Sequence, residues 1–340
     1  MKKYLNKAII YKELKASWQI TIVLLILVAA NGATEFYTLL TIREGIANIY
    51  AVSTFFADAR VLPLIFVVLI IISQRIMGAD KKCDFERVAA MPFTRKETIV
   101  SKLVVGQLLL IIPMMINSIM TLLMYFSNYT AIHPYIKLGI LVKLFILNFL
   151  NYSAILMFLM LIQSIVGKKV TGSVLGAIFM FVPFGLASFL AFFLGTHLDY
   201  FKVPAPAIIS SGVVEKIGAY LLVPLYNQLT PSISYATRII LLICLICVFA
   251  TLTYYSYKKN QFERNGNVLM FGFLEPIFKL GVTVFFALGG FIFTYQIFIG
   301  LIYRRNILDG GVLMISDIVL LVVGVLAYFL TDKHIKASRE

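Results

Sequence analysis

The chain alternates long apolar runs with short polar connections. Eight runs are long enough to cross a membrane, because a helix needs about 20 mostly apolar residues to span the hydrocarbon core. The predicted spans cover residues 18–40, 61–77, 103–126, 144–166, 173–195, 235–257, 280–302 and 312–330. None of them shows the period-2 alternation of membrane barrel strands. The pattern predicts an all-α polytopic membrane helix bundle of about eight transmembrane helices, with residues 1–340 as a single transmembrane domain.

Composition supports this class, and the charge indicates the orientation. Hydrophobic residues make up 61% of the 340 residues and charged residues 14%, against roughly 45–50% and about 25% in soluble domains. The net charge of +14 does not indicate nucleic acid as a partner, because the basic residues lie in short connections between apolar runs. In this topology, 21 of the 30 Lys and Arg residues fall on the side of the termini. Both termini are therefore predicted to be cytoplasmic, in a plasma membrane.

Three segments outside the spans are long enough to carry function: 1–17, 78–101 and 197–234. Residues 1–17 are too charged for a cleaved signal peptide, so the first span is expected to be retained. The connections 78–101 and 258–279 are predicted to be cytoplasmic. The connection 197–234 is predicted to be external, and its apolar run 217–229 is interpreted as an interfacial or re-entrant helix because it is too short to span.

The patterns needed for catalysis or metal binding are not found. A phosphate-binding loop requires spaced glycines before Lys-Ser or Lys-Thr, and the run 167–172 is interpreted as a basic turn between helices. Cys244 and Cys247 lie inside an apolar span without a second ligand pair. The histidines are predicted to lie apart, in loops or in the C-terminal tail: His133, His197 and His334. We expect no enzyme activity, cofactor or metal in this chain by itself.

The connection 78–101 has a distinctive pattern. Phe85 and Val88 share one side of a short charged helix, and Pro92 ends that helix. A Thr-x-x-Glu spacing directly afterwards predicts a capping box at the start of the next helix. A charged helix that ends in a proline turn is suited to insertion into a groove of a partner protein. An ordinary solvated connector would show the same pattern, so both interpretations remain open on the residues alone.

Motifs around this connection resemble the signature of type-2 ABC exporter permeases. In that family an acidic-basic helix leads to a turn of the form Leu-Pro-hydrophobic-Ser/Thr-Arg-Lys/Arg-Glu and then to a Lys-Leu entry into the third span. The chain has Asp-Phe-Glu-Arg at 84–87, Met-Pro-Phe-Thr-Arg-Lys-Glu at 91–97 and Ser-Lys-Leu at 101–103. The stretch 262–279 is similar to the cytoplasmic connector of eight-span permeases from Gram-positive bacteria, although Phe262 replaces the usual Ser.

The resemblance implies a type-2 ABC exporter fold and a permease whose ATP is hydrolysed on a separate ATPase subunit, which binds ATP and Mg. It also implies a second permease copy, in a homodimer or heterodimer, and an elbow helix formed by the basic segment 1–17. The residues that would contact the ATPase are Asp80, Asp84, Phe85, Glu86, Arg87, Val88, Met91 and Pro92. Within the family, exporters of amphipathic cytolytic or antimicrobial peptides, including phenol-soluble modulins, match best.

Polar residues inside the spans are candidates for a substrate path, because a charge at the bilayer centre costs about 2.5–3.5 kcal/mol. The candidates lie on the predicted outer halves of the first, third and fourth spans: Asn31, Thr34, Glu35, Asn117, Asn148 and Asn151. They could instead form hydrogen bonds between helices or lie near the headgroups. Asp317 and Arg238 could likewise pair with each other or lie at the outer interface.

The alternative function is a secondary transporter or channel that needs no ATPase. Such proteins usually have discontinuous helices and several ionisable residues near the midplane, and the latter are scarce here. A membrane-embedded enzyme is disfavoured, because acidic, His and Cys residues are not clustered on one predicted membrane face. Only the exporter requires an ATPase partner.

Overall fold

A computed structural model describes residues 6–41, 62–78, 93–133, 137–202, 234–260, 267–302 and 310–337. Within these ranges the regular elements are helices, and no strand is present. The helices are α1 (Lys7–Thr41), α2 (Leu62–Gly78), α3 (Arg95–Ser127), α4 (Tyr129–Ile132), α5 (Leu138–Ile165), α6 (Lys169–Tyr200), α7 (Tyr235–Lys259), α8 (Leu274–Ile302) and α9 (Gly310–Ala337). The described part of each predicted span falls on a helix, and the second predicted span falls on α2.

Six of the described helices are long and apolar enough to cross a membrane, and α6 makes a seventh if its two bent halves form one span. The halves of α6 meet at 40° beside Pro183, which cannot donate a hydrogen bond to the preceding turn. Helix α2 is apolar but has only 17 residues, fewer than any of these helices. The all-helical class with six to seven long apolar helices is confirmed and fits a polytopic membrane bundle. The number of eight spans and the cytoplasmic termini remain predictions.

Helix α1 is continuous over 35 residues, which corresponds to about 52 Å at 1.5 Å per residue. This length exceeds the roughly 30 Å of a hydrocarbon core, and the basic segment from Lys7 onward continues into the first predicted span without a break. The only tryptophan of the chain, Trp18, is 56% exposed on this helix. Buried residues recur along one face: Ile9, Glu13, Ser17, Leu24, Val28 and Asn31.

Helix α3 begins with the capping box that the sequence predicts. The backbone N–H of Glu97 donates to Thr94 Oγ1 at 3.3 Å, and the N–H of Thr94 donates to Glu97 Oε2 at 2.9 Å. These bonds satisfy donors that the first turn of a helix leaves without partners. The start of α3 is therefore fixed by local sequence, directly after residues 79–92.

The helices form two compact units. The first comprises Met1–Ala177 and Val223–Asn265, and the second comprises Ile178–Leu222 and Gly266–Glu340. In the first unit α1 packs along α3, α5 packs along α7, and α2 contacts both α1 and α5. An apolar core of Leu147, Ala154 and Leu242 joins α5 to α7. The long helices thus pack mainly in pairs, and α2 lies between the pairs.

In the second unit α8 and α9 form a closely packed antiparallel pair. A Cβ added at Gly290 would lie 3.2 Å from Val323 Cγ2, and a Cβ added at Gly324 would lie 3.2 Å from Ala287 Cβ. The absence of side chains at these positions lets the two backbones approach each other, as small residues commonly do in membrane bundles.

The two ends of this pair are held in different ways. At one end Lys279 Nζ of α8 donates to Asp332 Oδ1 of α9, and Lys336 Nζ lies 2.7 Å from Asp332 Oδ2. At the other end an apolar and aromatic core joins α8 and α9 to α6: Phe291, Tyr295, Val312 and Leu313 with Phe192 and Phe193. The pair is thus held by an ion pair at one end and by ring packing at the other.

Gly324→Leu should lower the thermal stability of the protein in detergent. Its Cβ alone would press on Ala287, and overpacking of a tight contact costs about 1–3 kcal/mol. Gly281→Leu is the matched control, because no atom lies within 4 Å of a Cβ at that position of α8. The midpoint of thermal unfolding measures the difference. Equal midpoints for the two variants would contradict the close packing.

Candidate functional site

The predicted ATPase-contacting residues lie in 79–92, outside the described part of the chain, so the docking helix stays a prediction. These predicted contact residues are Asp80, Asp84, Phe85, Glu86, Arg87, Val88, Met91 and Pro92. The structure does describe the helices on both sides of this segment, α2 before it and α3 after it. We call the polar contacts between these helices and their neighbours the loop junction. It comprises Glu13, Ile76, Arg95, Ser101 and Lys102.

Lys102 is the buried centre of the loop junction, with 1% of the residue exposed. Its Nζ donates to the carbonyl oxygen of Ile76 at 2.6 Å and lies 3.9 Å from Glu13 Oε1. Ile76 belongs to the last turn of α2, where carbonyl groups have no partner within the helix. A cation is favourable there because the C-terminal end of a helix carries partial negative charge. Lys102 therefore caps α2 and at the same time pairs with α1.

Arg95 caps a second helix from the same face of α3. Its Nη1 donates to the backbone oxygen of Asn260 at 3.0 Å and to that of Lys258 at 3.4 Å, at the end of α7. Arg95 and Lys102 are seven residues apart and therefore lie on one side of the helix. Between them in sequence, Ser101 Oγ accepts a hydrogen bond from the N–H of Asn6 at 3.1 Å. Helix α3 thus holds the ends of α1, α2 and α7.

A third helix end is capped nearby in the first unit. Ser256 Oγ of α7 donates to the carbonyl oxygen of Ser164 at 3.4 Å, in the last turn of α5. Fully buried Gln163 donates through Nε2 to Ser173 Oγ at 2.9 Å, across the turn between α5 and α6. The run 167–172 was predicted to be a turn between two helices. Only residues 167–168 form that turn, because α6 already begins at Lys169, and the glycine at 172 leaves room for the Gln163 side chain.

The candidate substrate-path residues whose side chains are described lie on two different pairs of packed helices. Asn117 of α3 lies against Gly32 of α1, since a Cβ added at Gly32 would be 2.7 Å from Asn117 Oδ1. Asn31, the residue before Gly32, is also buried. Asn151 is also buried, on the side of α5 that carries Leu147 and Ala154 and packs on α7. Asn148 is only half-buried. The side chains of Thr34 and Glu35 lie outside the described part.

Gln107 and Ser153 form a further polar contact between helices, which was not predicted from the sequence. Ser153 Oγ donates to Gln107 Oε1 at 2.8 Å, between α3 and α5. Gln107 Nε2 and Asn151 Oδ1 are buried, and neither has a hydrogen-bond partner among the described residues. A buried amide atom without a partner is costly, and it often marks a place for water or a polar ligand. The sequence feature that could have indicated this contact is the presence of Gln107 and Ser153 within apolar spans.

The second unit contains a contact between His197 and Asp317 that the sequence did not indicate. His197 lies in the last turn of α6, not in a loop, and its Nε2 is 3.2 Å from Asp317 Oδ1 of α9. Its Nδ1 is 2.8 Å from the carbonyl oxygen of Phe193. The ring also packs against Phe193, at 4.2 Å between centroids, and is stacked on Phe291 at 5.5 Å. The prediction that His197 lies in a loop was wrong, and the tail residue His334 lies in the last turn of α9.

Both ring nitrogens of His197 face oxygen acceptors. A neutral imidazole has a single N–H, so it can donate only one of these two hydrogen bonds. The two contacts join the end of α6 to its own preceding turn and to α9.

Other reactive side chains are dispersed. Cys244 and Cys247 are exposed free cysteines on α7. Across the described ranges, no three His, Cys, Asp or Glu side chains are grouped closely enough to hold a metal ion. No protein-family model, curated protein or solved structure matches this chain. Its function is therefore inferred from its own residues, chiefly from the loop junction.

His197→Phe should lower the unfolding midpoint in detergent. The new ring keeps the packing on Phe193 and Phe291 but loses both polar contacts, and single interhelical hydrogen bonds in membranes are worth about 0.6–1.7 kcal/mol. His133→Phe is the matched control, since His133 packs on Tyr129 at 4.6 Å between centroids. If both variants unfold at the same temperature, the contact with Asp317 contributes nothing to stability.

Proposed function

We propose that this chain is the membrane-spanning permease subunit of an ATP-driven exporter, with ATP and Mg bound by a separate ATPase subunit. The observation that carries the proposal is the loop junction. The helices on both sides of residues 79–92 are joined by a buried hydrogen bond, from Lys102 to Ile76, and α3 also holds α7. A segment anchored in this way can transmit a displacement by a partner protein to several helices at once.

The cargo proposed for this exporter is an amphipathic molecule, such as a cytolytic or antimicrobial peptide of a Gram-positive bacterium. Six to seven apolar helices with few buried charges suit such a cargo better than an ion or a sugar. The buried amide atoms of Gln107 and Asn151 would supply the few polar contacts that its backbone needs. A second permease copy, identical or related, and a plasma membrane location belong to the same proposal.

A secondary transporter remains the second candidate because of one observation. Helix α6 bends by 40° beside Pro183, and transporters commonly build substrate sites from interrupted helices. The two candidates differ in a single requirement: the exporter must bind an ATPase.

Replacing both Phe85 and Val88 by Asp should abolish capture of the ATPase subunit that the proposal requires, because two charges would prevent docking of the predicted apolar side. The measurement is co-purification of the two proteins and ATP hydrolysis in nanodiscs. Phe201→Asp is the control, since Phe201 is equally apolar, 65% exposed and directly after the end of α6 that lies opposite the turn 167–168. Undiminished capture by the double variant would exclude the docking role. No capture by the natural sequence would favour the secondary transporter.

A path through the first unit predicts that water reaches its polar residues. In a background without the three natural cysteines, Asn148→Cys and Asn151→Cys should react with a small membrane-impermeant maleimide added from outside. Cys244, retained alone on the exposed face of α7, is the matched control and should stay unreactive in lipid. Protection of both introduced cysteines would show that the asparagines bond between helices and line no path.

A further inference from the structure

We propose that the starts of α5 and α7, at the end of this helix pair opposite the loop junction, bind the phosphate group of an anionic phospholipid. The residues that form the site are the basic side chains of Lys137, Lys143 and Arg238 together with the ring of Tyr235. We call these four residues the lipid site. Lipid binding at this end requires no ATPase and is therefore independent of the proposed exporter function.

Lys143 and Tyr235 join the two helices at this end. The Tyr235 hydroxyl donates to the carbonyl oxygen of Lys143 at 3.1 Å, and Lys143 Nζ lies 5.5 Å from the centroid of the Tyr235 ring. The two residues lie one and two turns before Leu147 and Leu242 of the apolar core, so they form the outermost layer of this contact. A lysine has three N–H donors, and the ring occupies only one side of the ammonium group. Because Lys143 is exposed, its remaining donors can reach a ligand.

Positive charge is concentrated at this end of the pair. Lys137 is the N-cap residue of α5, and Arg238 lies in the first turn of α7. The N-terminal end of a helix carries partial positive charge, which favours anions and disfavours cations. Neither α5 nor α7 contains Asp or Glu along its length. Two helix starts and three basic side chains therefore produce a positive potential that attracts an anion.

The depth of the cations matches the headgroup region of a bilayer. Helix α5 has 28 residues and α7 has 25, which correspond to about 42 and about 37 Å against roughly 30 Å of hydrocarbon. A centred helix thus extends about 6 Å (α5) or about 4 Å (α7) beyond the hydrocarbon at each end. Lys143 is the sixth residue of α5 and Arg238 the fourth of α7, so both lie near this boundary. Their long side chains reach outward to the level of the lipid phosphates.

Apolar side chains beneath the cations suit the acyl chains of the same molecule. Ile146 is exposed and lies one turn below Lys143, on the same side of α5. On α7, the half-buried Leu241 and Leu245 lie one and two turns below Arg238. A free phosphate ion gains nothing from such a surface, whereas a phospholipid contacts the cations with its headgroup and the apolar side chains with its acyl chains. The excess of positive charge favours a lipid with net negative charge.

Photolabelling of the protein in phosphatidylcholine nanodiscs tests the lipid site. The probes are phosphatidylglycerol and phosphatidylcholine with a diazirine near the top of one acyl chain; both carry a phosphate, but only the first has a net charge. Mapping of the labelled peptides restricts the measurement to residues 138–149 and 235–246. At equal mole fractions we expect phosphatidylglycerol to label these segments at least about fivefold more than phosphatidylcholine. Equal labelling by the two lipids overturns the lipid site.

Lys143→Gln combined with Arg238→Gln should raise the mole fraction of phosphatidylglycerol needed for half-maximal labelling about thirtyfold, since each basic residue near an anionic headgroup contributes about fivefold. Lys143→Gln alone, a change at an exposed position, should raise it about fivefold if the double variant does not fold. Lys202→Gln is the matched control, because it removes the same charge from an exposed residue after the end of α6, and it should behave like the natural sequence. Unchanged labelling in both Lys143 variants overturns the lipid site.

Inorganic phosphate separates a lipid from a free ion as the ligand. An excess of inorganic phosphate at constant ionic strength should leave labelling by phosphatidylglycerol unchanged, because the free ion makes no contact with the apolar side chains. Competition by the free ion would show that this end binds any phosphate, and it would overturn the assignment to a phospholipid. Constant ionic strength is needed because added salt alone weakens the attraction between exposed charges.

Discussion

The last carbonyl groups of a helix need partners wherever the helix ends away from bulk water, and this constraint governs one end of the first unit. Three helices end there, and each receives a donor from another helix: Lys102 caps α2, Arg95 caps α7, and Ser256 of α7 caps α5. Apolar packing alone would leave helices in lipid free to slide, because lipid tails are as apolar as the helix surfaces. The capping bonds set the register of one helix against the next.

The second unit meets the same need for register by other means. Glycines bring the backbones of α8 and α9 together near their middle, and Asp332 joins α9 to Lys279 of α8 near one end. Asp317 joins the same helix to His197 of α6, about 22 Å away along α9. Two carboxylates on a single helix therefore contact side chains from two different helices. Helix α9 is the element on which the order of this unit depends.

The sequence predicts those features of the fold that depend on nearby residues. Apolar run length was enough to place the helices, and the spacing of Thr94 and Glu97 was enough to place the start of α3. The pairing of His197 with Asp317 joins residues 120 positions apart, and no periodicity shows which distant neighbour a polar side chain will meet. Burial of Lys102 was missed for a similar reason, because a lysine near a helix end is ordinarily solvated. The candidate path was predicted from polar faces, which identify a side of a helix but not the helix it meets.

Helix α1 has a mechanical property that follows from its continuity. Glu13 and Asn31 are separated by 18 residues, which is five complete turns, so both lie on the same buried line of the helix about 27 Å apart. No proline interrupts residues 7–41. A stiff rod of this kind passes on a twist or an axial shift with little loss. A rotation of α1 about its axis at Glu13 would therefore turn Asn31, five turns further along, by the same angle.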